Sequence, residues 1–272
     1  MHRVSMFLLL TLFCISNNTR ASEAKPLVIG QTFTIDSQIL GEPRRINIYA
    51  THHYGESEDT PLPVLYMPDG GIAEDFLHVA GLIQVSVGNG TMRPFLLVGI
   101  ENTQRRRDLT GPTENPEDRK IAPKVGASKA YRDFIRKELM PEIKQRYRTT
   151  GETAIVGESL AGLFVVETFL QEPDLFDTYI AFDPSLWWNN QCLVKNASGQ
   201  LDKKQAGKKT LFLASSDQKE IAEITRQFSE LLASKLNADL TLKYLSMPEE
   251  KHSTIYHPAA IKAFREVFKP RQ

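Results

Sequence analysis

The stretch Thr153–Gly162 constrains this chain most, because a short apolar run turns sharply into an apolar helix at Gly157-Glu158-Ser159. The first part is hydrophobic enough for a buried strand, and residues 160–170 are hydrophobic enough for a buried helix. A serine at such a strand–turn–helix junction is typical of a nucleophile elbow, whose strained turn lifts the serine Oγ above the sheet. A serine that only caps the helix fits the same pattern, so the rest of the chain has to decide between the two.

A nucleophile elbow needs small residues two positions before and two positions after the serine. Gly157 and Ala161 stand at these positions. The usual residue at the second position is glycine, so Ala161 departs from the pattern. Alanine adds only a methyl group and Gly162 follows at once, so we expect the helix still to pack closely on the strand.

The composition excludes several classes of function. The 272 residues are 41% hydrophobic and 24% charged, which is ordinary for one large globular domain. Lys and Arg together number 33, and Asp and Glu also number 33, so there is no electrostatic basis for binding nucleic acid or an anionic membrane surface. The sequence has no dinucleotide motif, no phosphate loop and no Cys/His cluster with metal spacing. We therefore expect no metal and no cofactor.

The N-terminus has the pattern of a secretory signal peptide, which we assign to residues 1–24. A basic start precedes about ten apolar residues, too few to span a bilayer comfortably. Cleavage would follow Ala21 or Ala24, and an uncleaved N-terminal anchor is the alternative. The mature chain, residues 25–272, is then predicted to be one exported domain, periplasmic or secreted, without stable membrane insertion.

Buried strands alternate with helices along the rest of the chain, which predicts an α/β fold with a mainly parallel central sheet and helices on both faces. Residues 31–40 and 44–49 alternate in polarity and predict an N-terminal antiparallel hairpin at a sheet edge. Residues 127–146 form the clearest amphipathic helix. No separate lid domain is evident. The polar segment Glu101–Lys124 is long for a loop in a compact domain, which indicates a functional or disordered segment that would cover the site.

A serine hydroxyl needs a base to take its proton, and six histidines are available. His252 directly follows the last predicted strand, where an α/β-hydrolase places its base. His257 stands at the start of the last predicted helix and suits a capping or surface role. We predict His252 as the base and keep His257 as the alternative.

The base in turn needs an acid that holds its tautomer and stabilises the imidazolium. Asp217 follows the predicted strand Thr210–Ala214 and fits the order serine, acid, histidine along the chain. Glu220 follows shortly after and is the second candidate. Asp217 would otherwise only cap the next helix.

The developing oxyanion needs N–H donors that are already in place. The amide of Leu160 follows the serine at a helix N-terminus, and we predict it as one donor. We predict the amide of Gly71, in the turn after the strand Val64–Met67, as the other. Adjacent glycines at 70 and 71 let the backbone approach a ligand closely, although they also suit a plain tight turn.

Two further loops at predicted strand ends carry candidate substrate-binding residues. Arg106 and Arg107 belong to a basic cluster in the Glu101–Lys124 segment, where cations could meet an anionic ligand, although such clusters are more often simply solvated. Trp187 and Trp188 follow another strand end. Adjacent tryptophans in extended backbone point in different directions, so we expect one in the core and one in the cleft.

Five pieces of sequence follow one another between Pro63 and the C-terminus: Tyr66-Met67-Pro68-Asp69-Gly70, Arg105-Arg106-Arg107-Asp108-Leu109-Thr110, Gly157-Glu158-Ser159-Leu160-Ala161-Gly162, Asp183-Pro184-Ser185-Leu186-Trp187-Trp188 and Glu250-Lys251-His252-Ser253. In this order they resemble the Putative esterase family of α/β-hydrolases. That family includes enterochelin (siderophore) esterases, S-formylglutathione hydrolases, feruloyl esterases and mycolyltransferases. The arginine and tryptophan pieces look most like the enterochelin esterase branch.

The resemblance implies a serine esterase of the α/β-hydrolase fold that acts on a small-molecule ester, with Ser159 as nucleophile and His252 as base. Its branch implies a siderophore ester, such as a trilactone of catechol-bearing units. The acid of that branch is variable or absent, so a serine–histidine dyad stays open beside Asp217 and Glu220. Three other functions also stay open: a general short-chain carboxylesterase, an acyltransferase with an acceptor other than water, and a non-catalytic binding protein on the same fold. The sequence gives no sign of the oligomeric state.

Overall fold

An eight-stranded sheet forms the centre of the protein. The computed structural model describes residues 23–52, 57, 59–201, 207–235 and 238–270. Three of the strands, β3, β4 and β6, are buried along their whole length, as expected where helices cover both faces. In chain order the strands are β1 (Gln31–Ser37), β2 (Glu42–Ala50), β3 (Leu62–Pro68), β4 (Leu96–Ile100), β5 (Thr149–Glu158), β6 (Thr178–Phe182), β7 (Lys209–Ser215) and β8 (Leu240–Ser246).

The strands pair in the order β1-β2-β4-β3-β5-β6-β7-β8. β1 and β2 form an antiparallel hairpin at one edge, and β2 also runs antiparallel to β4. Every other pair is parallel. The structure therefore confirms the predicted edge hairpin and the mainly parallel sheet. It also places β5, which leads into Ser159, among the central strands, so that the loops after β3, β6, β7 and β8 lie around it.

Helices cover both faces of the sheet, which confirms the predicted α/β class. Residues of α1 and α8 form the core on one face, and residues of α3, α4, α5 and α7 form the larger core on the other. In chain order the helices are α1 (Phe76–Gly88), α2 (Arg105–Asp108), α3 (Ser128–Phe134), α4 (Met140–Arg146), α5 (Leu160–Gln171), α6 (Trp188–Leu201), α7 (Lys219–Ser234) and α8 (Tyr256–Val267).

The amphipathic helix predicted for residues 127–146 forms as α3, one π-helical turn at Ile135–Leu139, and α4. Pro141 lies in the first turn of α4, where its missing N–H removes at most one helical hydrogen bond. The π turn lies just before this proline, at the point where the hydrogen-bond pattern has to change. The predicted apolar face is buried throughout, at Tyr131, Phe134, Ile135, Leu139 and Ile143.

The long polar segment Glu101–Lys124 is ordered and packs against the body of the domain. It contains α2 and a short 3₁₀ turn at Asp118–Lys120. Asp108 is buried in an ion pair with Arg44 of β2. The indole Nε1 of Trp188 donates to the carbonyl oxygen of Gly111 at 2.9 Å. The segment is therefore part of the loop layer above the sheet and not a separate lid.

Helix α6 is not predicted by any pattern in the sequence. Its first turn contains three residues in the left-handed region, Asn189, Asn190 and Gln191, with φ of 48°, 53° and 63°. Asparagine tolerates this region better than most residues. The Asn189 side-chain oxygen accepts the Glu114 N–H at 3.0 Å, and the Asn189 N–H donates to Asp118 at 2.8 Å. These bonds hold the unusual turn against the Glu101–Lys124 segment.

The predicted signal peptide lies outside the described residues, except for its last two positions, 23 and 24, which have no regular structure. Its existence and its cleavage site therefore stay predictions. Within the described ranges, no helix combines the length and the hydrophobicity needed to cross a bilayer.

Candidate active site

Ser159 occupies the sharp turn between β5 and α5. Its backbone has φ 60° and ψ −118°, a conformation that non-glycine residues adopt rarely and at a cost of about 1–3 kcal/mol. The Ser159 N–H donates to the carbonyl oxygen of Phe182, the last residue of β6, at 3.0 Å. This bond and the two flanking elements hold the strained turn. The geometry is that of a nucleophile elbow.

The Ser159 hydroxyl oxygen lies 3.1 Å from Nε2 of His252. His252 is in the loop after β8, as the sequence analysis placed it. His257 lies one turn further on, in α8, where its Nδ1 is 3.0 Å from Nε2 of His78 on α1. The structure therefore brings His252, and not His257, to the serine.

Asp183 provides the carboxylate on the other side of the imidazole, with its Oδ2 2.9 Å from Nδ1 of His252. Asp183 directly follows β6, has φ 40°, and is fully buried. Both oxygens also accept hydrogen bonds from Ser216, one from its N–H at 2.6 Å and one from its hydroxyl at 2.5 Å. Ser159, His252 and Asp183 thus form one continuous hydrogen-bonded chain with the geometry of a catalytic triad.

The prediction that Asp217 orients the histidine is therefore wrong in this structure, and so is the second candidate, Glu220. Asp217 is exposed, and its N–H donates to the Glu250 carbonyl oxygen at 2.9 Å, so it fixes the loop that carries His252 through its backbone. Glu220 is exposed in the first turn of α7. The acid comes from the end of β6, the neighbour of β5, instead of from the end of β7. The available signal was Asp183 itself, which directly follows the strand-like run Thr178–Phe182.

The contact with Asp183 raises the pKa of His252, because the carboxylate stabilises the imidazolium, and burial of the half-exposed ring partly opposes this effect. Glu158, the residue before the serine, contributes in the same direction as Asp183, and Arg105 contributes in the opposite direction. A histidine held by a carboxylate in this way is suited to take a proton from the serine and keep it during the reaction.

The two predicted oxyanion donors differ in their surroundings. The Leu160 N–H is in the first turn of α5, where the backbone N–H groups lack helical partners. The Gly71 N–H is bound by the carboxylate of Glu74, at 2.7 Å from Oε2. The same oxygen lies 3.5 Å from the backbone nitrogen of Asn102. In this structure Gly71 is thus engaged by an internal anion, which an oxyanion would have to replace.

The three arginines of α2 have three different environments. Arg107 is bound to Glu42 and Asp108, and Arg106 is exposed and donates to the Ile121 carbonyl oxygen at 2.7 Å. Arg105 belongs to the same basic cluster and donates through Nε and a terminal nitrogen to both oxygens of Asp69, at 2.7 and 2.8 Å. Arg105 is also the arginine whose charge acts on His252.

These arginines line a cavity of about 390 Å³ between α2 and the end of the Glu101–Lys124 segment. Its lining includes four basic side chains and no acidic one: Arg105, Arg106, Arg107 and Lys124. A cleft of this composition suits an anionic ligand.

The two tryptophans separate as the sequence analysis expected. Trp188 is buried. Trp187 is partly exposed and lines a second cavity of about 670 Å³, with polar residues of the 3₁₀ turn and of α6. Among the described residues, no group of three or more His, Cys, Asp or Glu side chains is arranged to hold a metal ion.

Comparison with known proteins gives consistent matches. The model of the family described as Putative esterase matches residues 37–235. The ferri-bacillibactin esterase BesA of Bacillus subtilis is 29% identical over 236 residues, which cover 76% of this chain and 79% of that protein. The siderophore triacetylfusarinine C esterase of Aspergillus fumigatus is 28% identical over 66% of this chain and 64% of its own length.

Among solved structures, an IroE-like serine hydrolase from Shewanella oneidensis superposes with a TM-score of 0.79 at 28% identity. The match covers 88% of this chain and 80% of that chain. The match extends beyond the family segment at residues 37–235, so the similarity covers most of the domain.

Proposed function

Because the chain belongs to the Putative esterase family and is a hydrolase of ester bonds, we propose that it works through an acyl-enzyme, with Ser159 as nucleophile and His252 as general base. The observation that carries this proposal is the hydrogen-bonded chain from Ser159 through His252 to Asp183. A non-catalytic binding protein on the same fold would have no need for a strained serine turn aligned with a histidine and a buried carboxylate.

In the first half of the reaction, His252 Nε2 takes the Ser159 proton while Oγ attacks the ester carbonyl carbon. The tetrahedral intermediate collapses when the imidazolium gives that proton to the leaving alkoxide. In the second half a water molecule gives its proton to His252 and attacks the acyl carbon, and the proton then returns to Ser159 as the acid is released. The Asp183 carboxylate, hydrogen-bonded to Nδ1, stabilises each imidazolium that forms on His252.

The Leu160 amide and the Gly71 amide are the proposed oxyanion donors. Glu74 now occupies the Gly71 N–H, so this proposal requires the Glu74 carboxylate to leave as the substrate carbonyl enters. Once free, the Gly71 N–H would bind the oxyanion of the transition state more strongly than the neutral carbonyl of the bound substrate.

For the substrate we propose a siderophore ester, such as an anionic ferric catecholate trilactone. Its support is the basic cavity beside Arg105 and Arg106, the partly exposed Trp187, and the siderophore esterases among the similar proteins. Export to the periplasm or the medium is part of the same proposal and rests on the signal-peptide pattern of residues 1–24. A general short-chain carboxylesterase shares the acyl-enzyme and is the second candidate, because the hydrogen-bonded chain from Ser159 to Asp183 serves any carboxylic ester.

The direct test is labelling by a fluorophosphonate probe together with hydrolysis of a p-nitrophenyl ester panel. We expect Ser159→Ala to lose labelling and to lose turnover by several orders of magnitude, with an unchanged circular dichroism spectrum. His252→Ala should be about as damaging, and adding it to Ser159→Ala should cost little more, because residues that act as one unit are not additive. His257→Ala is the matched control and should be mild. Near-native turnover in folded Ser159→Ala would refute the proposal.

The substrate proposal has its own test. Arg106→Glu reverses a charge in the basic cavity without breaking an ion pair among the described residues, whereas Arg107 is held by Glu42 and Asp108. We expect KM for a catecholate trilactone to rise at least tenfold and KM for a neutral p-nitrophenyl ester to change less than twofold. Lys144→Glu, on the exposed side of α4, is the control. Equal effects on both substrates, or no trilactone hydrolysis, would leave the general carboxylesterase.

A further inference from the structure

Glu158 lies beside the triad and has no role in the mechanism above. Its side chain is only 17% exposed, although it is a carboxyl group one residue before the nucleophile. Its Oε1 is buried and has no hydrogen-bond partner among the described residues. The same atom lies 3.3 Å from Nε2 of His252. A buried carboxyl oxygen without a partner is costly, so its position against the imidazole calls for a physical reason.

The imidazole nitrogen that faces Ser159 therefore has two oxygens within reach. Ser159 Oγ is 3.1 Å from Nε2 and Glu158 Oε1 is 3.3 Å from it. When the imidazole is neutral, Nε2 has a lone pair and accepts a hydrogen bond from the Ser159 hydroxyl. When the imidazole is protonated, Nε2–H is a donor, and the ionised Glu158 is a stronger acceptor for it than a hydroxyl.

From this geometry we infer that Glu158 is a positioning residue that holds the protonated His252 between two carboxylates, Asp183 at Nδ1 and Glu158 at Nε2. The inference rests on the proposed function, because it assumes that His252 cycles between neutral and protonated forms. It assigns Glu158 two effects on the reaction. The carboxylate stabilises the imidazolium formed when Ser159 attacks, and it also makes the free enzyme hold a proton on His252 at higher pH.

The groups around Glu158 act on it in both directions. Burial raises the pKa of the Glu158 carboxyl to about 7, and the nearby charges of His252 and Arg105 lower it. The remaining ionisable groups that face it come from the ends of β3 and β6 and from α8, and they are Asp69, Asp183 and Tyr256. Glu158 and His252 lie close enough for the charge of each to shift the pKa of the other, so the two groups titrate as a coupled pair.

The test is the pH profile of kcat/KM for a neutral p-nitrophenyl ester in wild type and Glu158→Gln. Glutamine has the same shape without the charge. We expect the acid limb to move to lower pH by about one unit, because removal of a neighbouring negative charge lowers the pKa of His252. On the plateau above that limb we expect kcat/KM to fall about tenfold, because the imidazolium loses one of its two carboxylates.

Asp75→Asn is the matched control. Burial and the charge of Asp69 raise the pKa of Asp75 to about 6, yet Asp75 is not among the groups that shift His252. Its neutralisation should leave the acid limb within about 0.2 pH unit of wild type, well below the shift that a close charge produces. A limb that stays fixed in Glu158→Gln, or one that moves equally in Asp75→Asn, would overturn the inference.

A second measurement does not depend on activity. Labelling of the histidine ring nitrogens with ¹⁵N gives the titration of His252 directly in Ser159→Ala and in the double variant Ser159→Ala, Glu158→Gln. We expect the midpoint of His252 to be lower in the double variant, and an unchanged midpoint would refute the role of Glu158. If wild type is not labelled by the fluorophosphonate, the proposed function itself fails. If it is labelled while the His252 midpoint and the acid limb stay fixed, only the role of Glu158 fails.

Discussion

At the scale of single residues, Asp183 shows what the position of a triad acid requires. Its carboxylate is fully buried, and three hydrogen bonds satisfy it: two from Ser216 and one from His252. The Ser216 bonds fix the rotation of the carboxylate, which then fixes the plane of the imidazole. An exposed carboxylate such as Asp217 has no such restraints and would orient the ring poorly.

We expect Asp183→Asn to reduce kcat about a thousandfold or more, because an amide group beside Nδ1 favours the wrong imidazole tautomer. The loss should appear in kcat more than in KM, since Asp183 acts on the reacting groups and not on the bound ester. Asp217→Asn is the control and should stay within about twofold of wild type, as surface substitutions usually do. A silent Asp183→Asn would mean that the enzyme works as a serine–histidine dyad.

At the scale of elements, the sequence predicts what local chemistry determines. The predicted bounds of strands such as β6 and helices such as α5 are close to the observed ones, because continuous apolar runs and flanking turn residues are local signals. Local sequence does not determine which strand supplies the carboxylate that binds His252. Asp183 and Asp217 both follow strands, and only the sheet order and the direction of each loop decide which one reaches His252. The left-handed turn that begins α6 also depends on partners far away in the chain, such as Glu114.

The elbow between β5 and α5 gives a prediction at this scale. A Cβ added at Gly157 would lie 2.6 Å from the carbonyl carbon and 2.7 Å from the Cβ of Ala161. We expect Gly157→Ala to lower the free energy of unfolding by about 2 kcal/mol, as overpacking does, and to reduce kcat by moving Ser159. Urea unfolding and steady-state kinetics measure the two effects.

Gly151→Ala, in the same strand, is the matched control, because nothing lies within 4 Å of its added Cβ. Adding Ala161→Gly to Gly157→Ala should restore only part of the stability, since the Ala161 backbone carbon and oxygen stay at 2.6 and 2.8 Å. Full recovery would show that the methyl–methyl contact alone excludes a side chain at 157. That outcome would also explain how the elbow tolerates Ala161 in place of the usual glycine.

At the scale of the whole molecule, the net charge is zero, but individual carboxyl groups have strongly shifted pKa values. Their effects on stability have opposite signs. The hydrogen bond from Arg107 lowers the pKa of Glu42 to about 2. Glu42 therefore contributes stability above its ordinary pKa of 4.5, and this contribution is lost as the pH falls through about 2. Burial raises the pKa of Glu158 to about 7. Ionised Glu158 therefore lowers the stability of the folded protein at high pH.

The sign for Glu158 follows from proton counting. Between its ordinary pKa of 4.5 and about 7, the folded chain keeps a proton that the unfolded chain has released, so the free energy of unfolding falls as the pH rises through this window. Glu158→Gln removes this penalty, which is about 3 kcal/mol at pH 8. The same change lowers the raised pKa of His252, whose contribution to stability is present below its ordinary pKa of 6.5 and is lost as the pH rises. Because of both effects, the free energy of unfolding of the variant rises relative to that of wild type as the pH increases.

We therefore expect urea unfolding to show Glu158→Gln about as stable as wild type or slightly less stable at pH 5, and clearly more stable at pH 8. Asp75→Asn should also become more stable relative to wild type between pH 4 and pH 7, because burial raises the pKa of Asp75 to about 6. Its gain should be complete near pH 7, whereas that of Glu158→Gln should still grow to pH 8. A stability difference for Glu158→Gln that is the same at pH 5 and pH 8 would show that Glu158 is solvated in solution. A solvated Glu158 would be free to leave the His252 imidazole, and the two-carboxylate arrangement around the base would not persist.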